Sequence, residues 1–182
     1  MTTHIVVPCF DEADRLDVTA FTQLAEAVDQ VCFVDDGSTD GTRDLIESIA
    51  GTDGEAVDLL VLPANVGKAE AVRRGMLEAI DRGATLVGYL DADLATPVPE
   101  MVRLTEIAAE QPHRSAVLGS RVALLGHSVR RRPARHYLGR IYATAASLAL
   151  GVAVYDTQCG AKVFRVDPSL RAALAEPFHD RW

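Results

Sequence analysis

GYLDADLATP, residues 88–97, sets two carboxylates, Asp91 and Asp93, at the end of an apolar run. An unpaired charge is costly to bury, so carboxylates in such a place need a cation, a partner or water. The D-x-D spacing lets both side chains approach one ion, and hard oxygen ligands suit Mg²⁺ or Mn²⁺. An ion held by one or two carboxylates usually takes substrate phosphates as well, which points to a nucleotide diphosphate as the cargo. D-x-D alone is a weak signal, and a solvated Asx turn has the same residues.

Two further motifs carry chemistry. In VDDGSTDGT, Asp35 and Asp36 sit where an acid can hydrogen-bond a ribose hydroxyl or a base N–H. Gly37, Ser38 and Gly41 permit a tight turn, and Thr39 or Asp40 can cap the helix that follows. The plainer alternative is a strand-to-helix turn with an ordinary cap. In NVGKAEAVRRGM, Asn65-Val66-Gly67 turns into a helix that begins at Lys68. A cation there is slightly unfavourable against the helix dipole, which favours a role in binding an anion or carbonyl over a merely solvated lysine. Neither G-x-x-x-x-G-K-[ST] nor G-x-G-x-x-G is present.

Elements of a particular kind must position these groups. Ile5-Val6-Val7, closed by Pro8, reads as a first strand, and Val31 to Val34 as a second. Val57 to Leu62, Thr85 to Leu90 and Ala116 to Leu118 continue the series. Between them, apolar residues recur at helical spacing: Leu16, Phe21, Leu24, Ala25 and Val28; Leu45, Ile46 and Ile49; Ala69, Val72, Met76 and Ile80; Met101, Leu104 and Ile107 behind Pro99. Alternating strands and amphipathic helices predict a layered α/β fold with a mostly parallel sheet. Ligands bind outside the carboxyl ends of such strands, so PCFDE, DDGSTDGT and DADLATP converge on one rim. That convergence is a stronger signal than any single motif.

The chain has 182 residues, enough for one core, and no repeat or linker divides it, so a single domain over 1–182 is expected. It is 48% hydrophobic with a net charge of −8, which argues against a protein that coats nucleic acid. Cys9, Cys32 and Cys159 are few, odd in number and without metal-ligand spacing, as expected in a reducing compartment. MTTHIVVPCF lacks the basic and apolar regions of a signal peptide. The longest apolar stretch, residues 141–154, falls short of the roughly 20 residues that span a bilayer.

VVPCFDEADRL, FVDDGSTDGT, NVGKAEAVRRGM, YLDADLATP, LGSR and YDTQCGAKVF, in this order, resemble the family 2 glycosyltransferases, from Ile5 to about Phe164. Within that family they are most similar to the dolichyl-phosphate glucosyltransferase and dolichyl-phosphate mannose synthase group. The resemblance implies the glycosyltransferase A fold, a Rossmann-like α/β/α arrangement, and inverting transfer of a sugar from a nucleotide donor to a lipid phosphate. It implies that Pro8, Phe10, Glu12, Asp35, Asp36 and Lys68 line the base and ribose pocket. Asp91 would face ribose and metal, Asp93 would bind the metal (Mg²⁺ or Mn²⁺), and Arg121 would lie near the phosphates. Ala95, where the mannose synthases commonly carry Gln, together with Thr96 and DTQCGAKVF, favours UDP-glucose over GDP-mannose. A haloacid dehalogenase-type phosphatase, with its nucleophile in D-x-D-x-T/V, is set aside, because Ala95 replaces the Thr or Val and the motif follows the fourth strand.

HSVRRRPARHYLGR, residues 127–140, concentrates positive charge in an acidic chain, with Arg130, Arg131, Arg132 and Arg135 ahead of an apolar segment. Such a segment suits an anionic membrane face or a lipid phosphate, and equally a solvated loop before a core helix. A phosphate monoester has a second pKa of about 6 and is largely dianionic at neutral pH. It needs alignment and charge neutralisation more than a base, and arginines supply both. Asp156, in YDTQCGAK, is left as a base, as the partner of an acceptor-side Arg or of Lys162, or as a turn former. The expected protein is a transferase at the cytoplasmic face of a membrane, with a nucleotide sugar and a lipid phosphate as partners. A soluble acceptor, and a nucleotide-sugar-binding module without turnover, are the alternatives. The family's members continue beyond the position of Trp182, so a short enzyme and a fragment are both compatible with the sequence.

Overall fold

A computed structural model describes residues 1–52, 56–120 and 159–178. Residues 1–118 with 160–182 form one compact unit and residues 119–159 a second, nearly all of which lies outside the described residues.

Among the described residues, β1 (Thr3–Cys9), β2 (Gln30–Asp35), β3 (Val57–Val61), β4 (Leu86–Leu90), β5 (Ala116–Leu118) and β6 (Ala161–Arg165) form one sheet in the order β3-β2-β1-β4-β6-β5. β1 pairs in parallel with β2 and β4, and β2 with β3. β6 runs antiparallel to both β4 and β5, so the sheet is mostly parallel, as expected. β6 itself was not among the five strands read from the sequence.

The central strand is buried on both faces, which is why its sequence is a continuous apolar run rather than an alternating one. Val6 on β1 with Cys32 and Val34 on β2 packs under α3 (Lys68–Asp81), against Ala71, Val72, Met76, Ala79 and Ile80. The alternate residues face the other layer. There Phe33 meets Phe21 of α1 (Val18–Ala27) edge to face, with centroids 5.3 Å apart. α2 (Thr42–Thr52) and α4 (Val98–Glu110) bury Ile46, Ile49, Met101 and Leu104. A short α5 (Pro168–Ala173), capped by Asp167, brings Leu174 back onto the α3 layer.

Two departures from the periodic reading of α3 have a physical cause. Ala69 is only half-buried, whereas Glu70 and Arg73 are buried. Arg73 donates through Nε and Nη2 to Glu70 at 2.7 and 2.9 Å and through Nη1 to the Leu174 carbonyl at 2.7 Å. The Phe178 N–H also donates to Glu70, at 3.0 Å. The charges are buried because the carboxy-terminal segment of the described chain satisfies them.

Candidate functional site

The loops after β1, β2 and β4 meet at one rim and enclose a cavity of about 340 Å³. Pro8, Cys9, Phe10 and Glu12 contribute from β1 and its loop, and Asp36 from the end of β2. Asn65, Gly67, Lys68 and Ala71 come from the entry and first turn of α3, and Asp91, Ala92 and Asp93 from the end of β4. Seven of the residues singled out in the sequence are thus brought together: Pro8, Phe10, Glu12, Asp36, Lys68, Asp91 and Asp93.

The walls are fixed by backbone hydrogen bonds. Asp36 is buried and accepts from the N–H groups of Val66 and Gly67, at 2.8 and 2.9 Å. Its carboxylate thereby locks the loop that leads into α3. Asp35 is also buried, accepts from the Ser38 N–H at 2.9 Å, and is not part of the cavity lining. The pair therefore divides between a turn and a wall. Gly37, at φ 77°, lets this turn pass close to the backbone of Ala64 and Asn65.

The loops after β1 and β2 are laced together. The Asp11 N–H donates to Ser38 Oγ at 3.1 Å, and the Thr39 N–H to Asp11 Oδ1 at 2.8 Å. The Glu12 N–H donates to Thr42 Oγ1 at 2.8 Å, and the Ala13 N–H to Asp40 Oδ2 at 3.1 Å. Asp40 also accepts from the Thr42 N–H, at the first residue of α2, at 2.9 Å. Hydrogen bonding from Thr42 draws the Asp40 carboxyl below its ordinary pKa. Sequence reasoning had not paired these loops, although the short polar side chains of both were its signal.

The acidic groups at the mouth are poised differently. Asp91 is anchored by its own N–H, which donates to the Gly160 carbonyl at 2.9 Å. Its Oδ1 is buried, and Lys68 Nζ lies 2.6 Å away outside hydrogen-bond alignment, so the contact is one of charge. Asp93 is exposed, and its Oδ1 accepts from the Ala95 N–H at 3.0 Å, the geometry of an Asx turn. Leu94, between them, has φ 50°, an uncommon conformation for a residue with a side chain. Burial pushes the Glu12 carboxyl above its usual range, with the charges of Asp93 and Asp40 acting in the same sense and Arg15 opposing them. Phe10 is 44% exposed at the rim of the cavity.

No cluster of three His, Cys, Asp or Glu side chains able to cage a metal occurs among the described residues. Asp91 and Asp93 both line the cavity, and carboxylate oxygens are the ligand type that Mg²⁺ or Mn²⁺ takes. Lys162 lies away from the lining. Its ammonium donates to the Tyr89 hydroxyl at 2.5 Å and sits 5.0 Å from the ring centroid. Arg121, Arg130, Arg131, Arg132, Arg135 and Asp156 lie outside the described residues.

The undecaprenyl-phosphate 4-deoxy-4-formamido-L-arabinose transferase of Pseudomonas aeruginosa (strain LESB58) is 33% identical over 167 residues, 88% of this chain and 46% of that protein. The dolichyl-phosphate beta-glucosyltransferase of Drosophila melanogaster is 32% identical over 183 residues, covering 88% of this chain and 53% of that protein. The chain spans about half the length of these curated relatives. In three dimensions it is similar to glucosyl-3-phosphoglycerate synthase from Mycobacterium tuberculosis, crystallised with Mn²⁺, uridine diphosphate and glucosyl-3-phosphoglycerate. The TM-score is 0.61 at 20% identity, over 90% of this chain and 56% of that one, a likeness that establishes the glycosyltransferase A fold. The pattern of glycosyl transferase family 2 matches residues 4–170, and the chain belongs to that family.

Proposed function

We propose that residues 1–182 act as one catalytic domain of an inverting, metal-dependent hexosyltransferase. It moves glucose from UDP-glucose to a polyprenyl-phosphate acceptor at the cytoplasmic face of a membrane. The observation that carries this reading is the single cavity in which Glu12, Asp36, Lys68, Asp91 and Asp93 meet beside the exposed ring of Phe10. The two curated relatives are named for transfer to undecaprenyl and dolichyl phosphate, which supports a lipid-phosphate acceptor. Their sugars differ, so the choice of glucose rests on Ala95, Thr96 and DTQCGAKVF in this chain. No helix among the described residues is long and apolar enough to cross a membrane. Contact with the bilayer is assigned instead to the basic segment containing Arg130, Arg131, Arg132 and Arg135.

In this reading Phe10 and Pro8 offer the base an apolar face, Asp36 holds the wall behind it, and Lys68 supplies positive charge. Asp91 and Asp93 hold Mg²⁺ or Mn²⁺, which when bound offsets the charge of the diphosphate. A phosphate oxygen of the acceptor bonds to the anomeric carbon while the bond to the diphosphate oxygen breaks, the electron pair leaving on UDP. The acceptor arrives already ionised, so the protein's task is alignment and charge balance. Arg121 and the arginines after it serve that task, with Asp156 orienting them. Lys162, engaged by Tyr89, is a secondary cation.

Calorimetry with UDP-glucose, GDP-mannose and other donors, with and without Mn²⁺, tests the reading. UDP-glucose is expected to bind most tightly and to do so in a Mn²⁺-dependent way, and Asp93→Ala should abolish the Mn²⁺ enhancement while circular dichroism stays unchanged. Tighter binding of GDP-mannose reverses the donor assignment. An Asp93→Ala variant with intact metal dependence overturns the metal site. Transfer to a soluble acceptor but not to polyprenyl phosphate overturns the acceptor, and donor binding without transfer or hydrolysis leaves a binding module.

A further inference from the structure

Gly160 stands directly behind the Asp91 carboxylate. Antiparallel pairing sets Leu90 opposite Ala161, so the residues that precede β6 and follow β4 are brought side by side. The Asp91 N–H donates to the Gly160 carbonyl at 2.9 Å. A methyl group on Gly160 would fall on the carboxylate: its three nearest atoms are all Asp91 side-chain atoms, the farthest of them Oδ1 at 2.9 Å. The glycine is not there for its backbone. Among the described glycines, positive φ occurs at Gly37, Gly67 and Gly83 and not at Gly160. What excludes a side chain at Gly160 is the carboxylate itself.

Asp91 is thus boxed in. The Gly160 backbone lies behind it and the Lys68 ammonium, 2.6 Å from Oδ1, in front. An added Cβ leaves two ways out. The carboxylate can swing off its rotamer, or the start of β6 can move and strain its pairing with β4. Either displaces an oxygen that the donor site uses.

We propose that Gly160 is a positioning residue of the donor site, its missing side chain forming the seat that aims the Asp91 carboxylate at the metal and donor. This rests on the reading of Asp91 given under Proposed function. Groups that orient a metal ligand from behind typically change metal affinity by about 10–100-fold when altered. Gly160→Ala is accordingly expected to weaken Mn²⁺-dependent UDP binding by roughly tenfold or more, a larger loss than that of UDP binding without metal.

The experiment is a double-mutant cycle between Gly160→Ala and Asp91→Ala. Mn²⁺ binding in the presence of UDP is followed by electron paramagnetic resonance, and stability by thermal denaturation. If Gly160 acts through the carboxylate, adding Gly160→Ala to Asp91→Ala changes neither Mn²⁺ binding nor Tm, because the group it would strike is gone. Mn²⁺ binding that survives in Asp91→Ala overturns the donor-site reading. Loss in Asp91→Ala with wild-type binding in Gly160→Ala overturns the role of Gly160 alone. Should the single Gly160→Ala variant fail to fold, a folded double variant with the Tm of Asp91→Ala supports the proposal, and an unfolded double variant overturns it.

Discussion

Lys68 and Asp91 face each other at 2.6 Å, one the first residue of α3, the other the first residue beyond β4. The dipole of α3 disfavours a cation at its amino terminus, and the carboxylate compensates. The lysine side chain is 48% exposed, so the pair contributes little to stability. Its consequence is chemical, because an ion held by Asp91 would have to share that carboxylate with the ammonium.

Removing that competitor should raise metal affinity in the absence of nucleotide. Lys68→Met is expected to bind Mn²⁺ about two- to fivefold more tightly than the native chain, the range of an exposed ion pair. The same variant should bind UDP-glucose more weakly. Titration of free Mn²⁺ by electron paramagnetic resonance checks the first effect and calorimetry the second. A fall in metal affinity would show that the lysine does not compete for Asp91.

Asp36 ties down two N–H groups, one of them buried, and its replacement leaves both without a partner. Asp36→Ala should destabilise the fold by about 2–3 kcal/mol, and Asp36→Asn by less, since one acceptor oxygen remains. Urea denaturation measures both. Equal stability of the two variants would mean that only one of the two bonds matters.

Glu70 links folding to acid. Hydrogen bonding from Arg73, ahead of that from Arg74, holds its carboxyl down at about 2 from an ordinary 4.5. The folded chain holds this proton less tightly than the unfolded chain does. The contribution is therefore complete above about 4.5 and is lost as pH falls towards about 2. Its size is on the order of 3 kcal/mol. Glu70→Gln should lower stability at neutral pH and flatten the decline across that window, as read by denaturation at a series of pH values. A parallel downward shift without flattening would assign the loss to packing.

Replacement of Arg130, Arg131, Arg132 and Arg135 by Gln should weaken liposome binding and lipid-phosphate use with donor affinity nearly unchanged. Salt should inhibit liposome binding of the native chain more than that of the variant, because exposed charges are screened. Flotation with anionic vesicles at two ionic strengths measures this. Full lipid-phosphate transfer by the variant removes the basic segment from the acceptor side.

The parallel half of the sheet was legible because each strand is a local apolar run with a polar motif at its carboxyl end. β6 was not. Lys162 and Arg165 interrupt its apolar residues, and its partners lie far away in sequence at Leu86–Leu90 and Ala116–Leu118. The cavity residues were legible as a set, but not the division of work between Asp35 and Asp36. Both carboxylates accept backbone N–H groups, and which of them lies against the cavity depends on the distant loop into α3. Glu70 and Arg73 read as helix surface, since nothing near them announces a carbonyl 101 residues further along. Gly160 could be seen as a motif glycine, while the carboxylate that excludes its side chain becomes visible only once β6 lies against β4.

β5 and β6 are neighbours, with Leu118 opposite Lys162. The chain that leaves the sheet after one therefore returns about 5 Å away, a single strand spacing. Among the described residues, those lining the cavity fall between Pro8 and Asp93. Residues 119–159 are in this sense a splice: a segment whose two ends leave and rejoin the sheet at neighbouring strands. A hairpin turn of about two to five residues can join such ends. A miniature built that way would serve as a host into which the corresponding segments of other family members are grafted by exchange at two neighbouring points.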